Sequence, residues 1–129
     1  MAALSDYAEN LILNWLMKNT GSAPSTTHLA LFTAAPSDSG GGTEVSGNGY
    51  ARQAVTWDTA SGTGGTTSNS TAETFTASGG SFGTVTHIGI FDAATTGNLL
   101  WWGAMTSSKA VADGDSLQFA IGAIDLTIA

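Results

Sequence analysis

Apolar residues near the start of the chain recur at helical spacing. Leu4, Ala8, Leu11, Ile12, Trp15 and Leu16 fall at i, i+4, i+7, i+8, i+11 and i+12, the positions of one helix face. Ser5 or Asp6 is placed to cap the start, and Asp6 with Glu9 fits a capping box in which Asp replaces Ser or Thr. Lys18 suits the last turn of a helix dipole, and Gly21 can supply a left-handed exit. The spacing predicts an amphipathic helix over residues 4–18. Its apolar face is too long to leave in water, so it is expected to pack on a sheet or on a neighbouring subunit.

After Pro24 the period changes from helical to two. His28–Ala34 carries Leu29 and Leu31 on one face and Phe32 on the other, which predicts an interior strand. Ala35–Gly49 is rich in Pro, Ser, Asp and Gly and reads as a surface loop. Tyr50–Asp58 alternates: Ala51, Gln53, Val55 and Trp57 share one face, and Tyr50, Arg52, Thr56 and Asp58 the other. Ala60–Ser70 is polar and of low complexity, which predicts an exposed loop, and Thr71–Ala77 is a strand around Phe75.

The organising stretch is Thr84–Met105, two strongly apolar strands joined by an Asp/Thr/Gly/Asn turn. Both are apolar on both faces, as in a sheet covered on each side. A second polar loop with Lys109, Asp113, Gly114 and Asp115 follows. Leu117, Phe119 and Ile121 then run in one phase and Ile124, Leu126 and Ile128 in the other, so one long C-terminal strand with a bulge or bend at Gly122 is expected. Six or seven short strands between Gly-rich loops predict a mainly β fold, an antiparallel β-sandwich (jelly-roll-like) with one N-terminal amphipathic α-helix. At 129 residues the chain is read as a single domain, residues 1–129, with the helix at 4–18 and the sandwich at 28–128.

Composition narrows the chemistry. No cysteine is present, which excludes disulfides and thiolate metal sites. Three Lys/Arg against ten Asp/Glu give a net charge of −7, which argues against binding a phosphate backbone. No run of apolar residues approaches the roughly 18 needed for a membrane span, and no export signal is visible at the N-terminus.

Candidate sites dissolve on inspection. His87 and Asp92 differ by five positions, so on a strand they point to opposite faces. No nucleophile elbow or phosphate-binding loop occurs, and Asp113-Gly114-Asp115 lacks the spacing of a calcium loop and reads as a turn. Catalytic, cofactor and metal residues are therefore none. Trp101 and Trp102 necessarily face apart, one toward the core and the other toward the helix or a subunit contact.

The segments WLMKNTGSAPSTTHLALFTAAPSDSGGGTEVSGNGYARQAVTW, THIGIFDAATTGNLLWWGAM and GDSLQFAIGAIDL together span nearly the whole chain. In them the sequence resembles a family of small tailed-bacteriophage virion proteins. These carry the label of tail fibre proteins, and similar small modules serve as capsid decoration or cement subunits. The resemblance implies a non-enzymatic structural protein of the virion, assembled in the host cytoplasm and released by lysis. It brings no catalytic residue. The expected role is a decoration or cement subunit on the head; the alternative is a tail fibre or tail-associated subunit that binds a host glycan. Expected partners are further copies of the chain, as a trimer, and the major capsid protein or tail proteins, with neither nucleic acid nor membrane. Trp15, Tyr50, Arg52, Trp101 and Trp102 are the candidate contact residues.

Overall fold

The computed structural model describes residues 2–60 and 64–128. A short strand β1 (Ala2–Leu4) leads into the helix α1 (Asp6–Lys18), followed by β2 (Thr27–Ala34), β3 (Thr43–Glu44), β4 (Gln53–Val55) and β5 (Thr66–Ser68). β6 (Glu73–Thr76), β7 (Gly83–Phe91), β8 (Leu99–Val111), β9 (Ser116–Phe119) and β10 (Asp125–Thr127) complete the chain. Among the described residues the fold is mainly β, its strand pairs are antiparallel, and its one helix lies near the N-terminus, as the periodicity predicted.

The helix starts two residues later than its apolar stripe suggests. Leu4 is drawn into β1, where it pairs with Trp101, and Ser5 rather than Asp6 becomes the N-cap. Ser5 is buried: its hydroxyl accepts from the Ala8 amide at 3.2 Å and donates to the Leu99 carbonyl, while its own amide donates to the Leu100 carbonyl. The cap is thus also the joint between helix and sheet. Ser5→Ala removes both roles of the hydroxyl and is expected to lower stability by about 1–2 kcal/mol, read as a reduced urea midpoint at unchanged slope. The helix ends at Asn19, whose left-handed φ of 53° closes the last turn, ahead of the expected Gly21.

The predicted hairpin is the centre of the larger sheet, whose strands run β1-β8-β7-β2-β3. β4 shares the outer edge of β2 with β3, pairing at Thr27–Leu29. Register sorts the side chains. Leu29, Ile90 and Trp101 lie in one cross-strand row, and Ala30, Gly89 and Trp102 in the next row on the opposite face. The two tryptophans therefore separate as strand parity required. Gly89 is needed where it stands: a Cβ there would meet the Phe32 ring at 2.8 Å and the Leu99 side chain at 2.9 Å.

The second layer consists of two two-stranded ribbons, β6-β9 and β5-β10. Phe75, Leu117 and Leu126 from these ribbons share one buried cluster with Leu29, Leu31, Val85, Ile90, Leu100 and Val111 of the large sheet. Phe75 is buried between Tyr50, stacked at 6.0 Å between centroids, and Phe119, edge-on at 6.3 Å. Removing water from this interface is the main source of stability.

Further sequence expectations change. Only Gln53–Val55 of Tyr50–Asp58 is a strand, so the alternation fails at its start and Tyr50 packs against the core instead of facing away from it. The polar stretch 60–70 is not simply a loop: residues 61–63 lie outside the described residues, but Thr66–Ser68 forms β5 and Asn69 is fully buried. Lys109 belongs to β8, opposite Val85, because that strand continues past a bulge in which Met105–Ser108 face Thr86 alone. The C-terminal run is not one long strand but joins the two ribbons. It divides at Gly122, whose φ of 78° makes the expected bend, but Ile121 is left exposed and β9 and β10 take different partners.

Candidate functional site

Arg52 sits at the end of the large sheet, beneath the turn joining β7 to β8. Its guanidinium forms a two-pronged contact with Glu44, Nε to Oε2 and Nη2 to Oε1, both at 2.8 Å. Nη1 donates to the carbonyls of Ala93 at 2.9 Å and Thr96 at 2.7 Å, and the group lies 3.7 Å over the Phe91 ring. Tyr50 donates its hydroxyl to Glu44 Oε2 at 2.6 Å and accepts from the Leu31 amide at 3.1 Å. Two short segments, 43–45 and 50–52, are thereby locked to the turn at 92–98.

Burial works against the charge on Glu44, but hydrogen bonds from Arg52 and Tyr50 and the nearby guanidinium outweigh it and hold the carboxyl below its ordinary value. Burial, then the bond to Glu44, pushes the Tyr50 phenol far above the usual range. Arg52 itself is raised by its bond to Glu44, so the pair is ionised at neutral pH. An adjoining cleft of about 470 Å³ is lined by Tyr7, Phe32, Asp38, Glu44, Arg52 and Phe91, among others. With its donors directed at Glu44 and two carbonyls, Arg52 acts as a clamp on its own chain.

A second feature brings Trp15 and Trp101 together. Both line an apolar groove of about 190 Å³ between α1 and the start of β8, with Ala8, Leu11, Ile12 and Ala23. Of the helix, only Ala8 is buried. Leu13, Trp15, Leu16 and Met17 remain 58, 54, 59 and 74 % exposed, so the expected packing of this helix on the sheet is confined to its first turns.

Trp102 stands on the other face of the sheet. Its indole donates to Asp38 at 2.8 Å, and its ring lies 6.4 Å from that of His87. His87 shares a 2.8 Å hydrogen bond with Thr86, while Asp92 accepts from the amide and side chain of Asn98 and closes the hairpin turn. Asp113 and Asp115 likewise accept from backbone amides of Gly79 and Ala112. Among the described residues no three His, Asp or Glu side chains converge as metal ligands would, and no helix is long and apolar enough to cross a membrane.

The five candidate contacts thus fall into three places: Trp15 with Trp101 at the groove, Tyr50 with Arg52 at the clamp, and Trp102 alone on the opposite face. Sequence reasoning weighed Asp38 and Glu44 only as calcium ligands and missed Asn69; all three lie in stretches read as loop. It also missed Leu13 and Met17, which lie off the predicted stripe. A readable signal did exist for these two, since apolar residues occupy six of the seven positions from Leu11 to Met17.

The chain is an antiparallel β module that carries a largely exposed apolar helix. Residues 3–127 match the family described as podophage GP4 fiber I protein gp80, and the chain belongs to that family. It is therefore a structural protein of a tailed phage and a component of the virion. A comparison with curated proteins finds no match.

Proposed function

We propose that this chain is a non-enzymatic building block of the virion that works by protein–protein assembly, in the fibre apparatus of the tail. The observation that carries the assembly role is the run of exposed apolar side chains on α1, surface that a free monomer keeps covered more often than not. The family description supports the position at a fibre. Its partners are further copies of the chain and neighbouring tail proteins. A net charge of −7 disfavours the phage nucleic acid as a ligand. Copies fold in the host cytoplasm and leave it by lysis.

The second reading is a decoration or cement subunit on the head, seated on the major capsid protein. It is favoured by the two-layer fold, in which ribbons and sheet close over one core without the repetitive register of a fibre shaft. Electron microscopy of purified particles separates the two. A copy number and location matching the tail fibres supports the first reading; density repeated over the capsid lattice replaces it with the second.

A further inference from the structure

The helix α1 presents apolar side chains in two directions. Ala8, Leu11, Ile12 and Trp15 line the groove against Trp101. Leu13, Leu16 and Met17 point elsewhere: at 3.6 residues per turn their centre lies roughly 140° around the helix from the groove-lining set. The first set makes a concavity of about 190 Å³, and the second makes a ridge left mostly exposed by the described residues. No charged side chain lies in either set; Asp6, Glu9 and Lys18 flank them.

A second copy of this chain fits both surfaces at once. A two-fold contact of ridge on ridge leaves every groove open, a contact of groove on groove leaves every ridge in water, and with the two surfaces roughly 140° apart around the helix a single two-fold patch does not hold both. A head-to-tail contact uses the two together, and in a closed ring covers them in every copy. The ridge residues Leu13, Leu16 and Met17 together expose on the order of 350 Å², within the range for the largest patch on a monomer. That is a little under half of the roughly 800 Å² per partner of a standard interface.

We propose that copies of this chain join head to tail through α1, with the Leu13, Leu16 and Met17 ridge of one copy seated in the groove beside Trp15 and Trp101 of the next. This rests on the assembly role proposed above and gives it a surface.

Two exposed positions test it without touching the core: Met17→Glu places a charge on the ridge, and Ala23→Glu places one at the groove. Sedimentation of the purified wild-type chain is expected to show a small closed oligomer, and each variant alone a monomer, with association weakened roughly hundredfold or more. Melting curves matching wild-type unfolding at high dilution show that both variants fold. Mixing the variants is the decisive step. The Ala23→Glu chain keeps its ridge and the Met17→Glu chain keeps its groove, so the mixture forms a species of two chains that neither forms alone. A wild-type monomer at all concentrations, an oligomer indifferent to both substitutions, or a mixture that stays monomeric each overturns the head-to-tail contact. A wild-type monomer that still adds back to particles lacking it overturns this contact while leaving the virion role standing.

Discussion

Arg52→Ala is expected to lower the unfolding free energy by about 3 kcal/mol, the lower end of what removing one partner of a buried ion pair costs. The lower end applies because the Arg52 side chain is 7 % exposed while that of Glu44 is 25 % exposed, so water partly screens the carboxylate left behind. The variant also abandons the carbonyls of Ala93 and Thr96, so the turn at 92–98 loses its tie to segment 50–52. Arg52→Lys should recover little of the loss, since an ammonium cannot make the two-pronged contact and reach both carbonyls. Urea unfolding measures both effects as a shifted midpoint.

The same pair sets an acid limit. The folded Glu44 carboxyl lies below its ordinary value, so its contribution to stability is complete above the unfolded-state pKa and is lost as pH falls through the folded one. The gap between wild type and Arg52→Ala should therefore be widest near neutral pH and narrow below about pH 4. A gap that stays constant through the acid range would show that the charge on Glu44 does not stabilise the fold.

Asn69→Ala is expected to cost about 3 kcal/mol as well, from three lost hydrogen bonds in a fully buried site. The Asn69 side chain donates to the carbonyls of Thr71 at 2.8 Å and Ala120 at 2.9 Å and accepts from the Ile124 amide at 2.9 Å. Its backbone completes the joint, donating to the Ile124 carbonyl and accepting from the Gly122 amide. This one residue ties the start of the β6 ribbon to the bend between β9 and β10. For a domain of this size the thermal midpoint should fall by about 10 °C. Asn69→Asp is expected to cost at least as much at neutral pH, because a carboxylate would face two carbonyls, and to regain stability in acid as it protonates. Calorimetry at two pH values distinguishes this from a simple packing defect.

What could be read from the residues follows their range of interaction. Helical spacing from Ala8 to Leu16, the period-two runs and the apolar hairpin are local or nearest-strand patterns, and they appear as α1, β2, β6, β7 and the first half of β8. Parity also correctly separated Trp101 from Trp102, since alternation along a strand needs no knowledge of its partner; Asp92 lies beyond the end of β7, in the turn, where parity does not apply. The family resemblance, carried by the same stretches, agrees with the match over residues 3–127.

Tertiary structure decided the rest. Asn69 sits among Ser, Thr and Gly, and only the arrival of residues 120–124 from the far end of the chain turns a loop amide into a buried hub. Glu44 and Arg52 are eight residues apart across a glycine-rich segment with no regular period, so no spacing rule could pair them; Gly47, Asn48 and Gly49, all at positive φ, make the turn that does. The C-terminal run was apolar enough for one strand, yet two ribbons competed for its halves and Gly122 let it divide. The sequence by itself determined a β-rich structural module with a capped helix, because hydrophobic periodicity is a property of neighbours in the chain. Which face of that helix stays open was decided only when β1 and β8 took up Ala8 and the first turn, for the simple geometric reason that a sheet covers one side of a cylinder and leaves the other exposed.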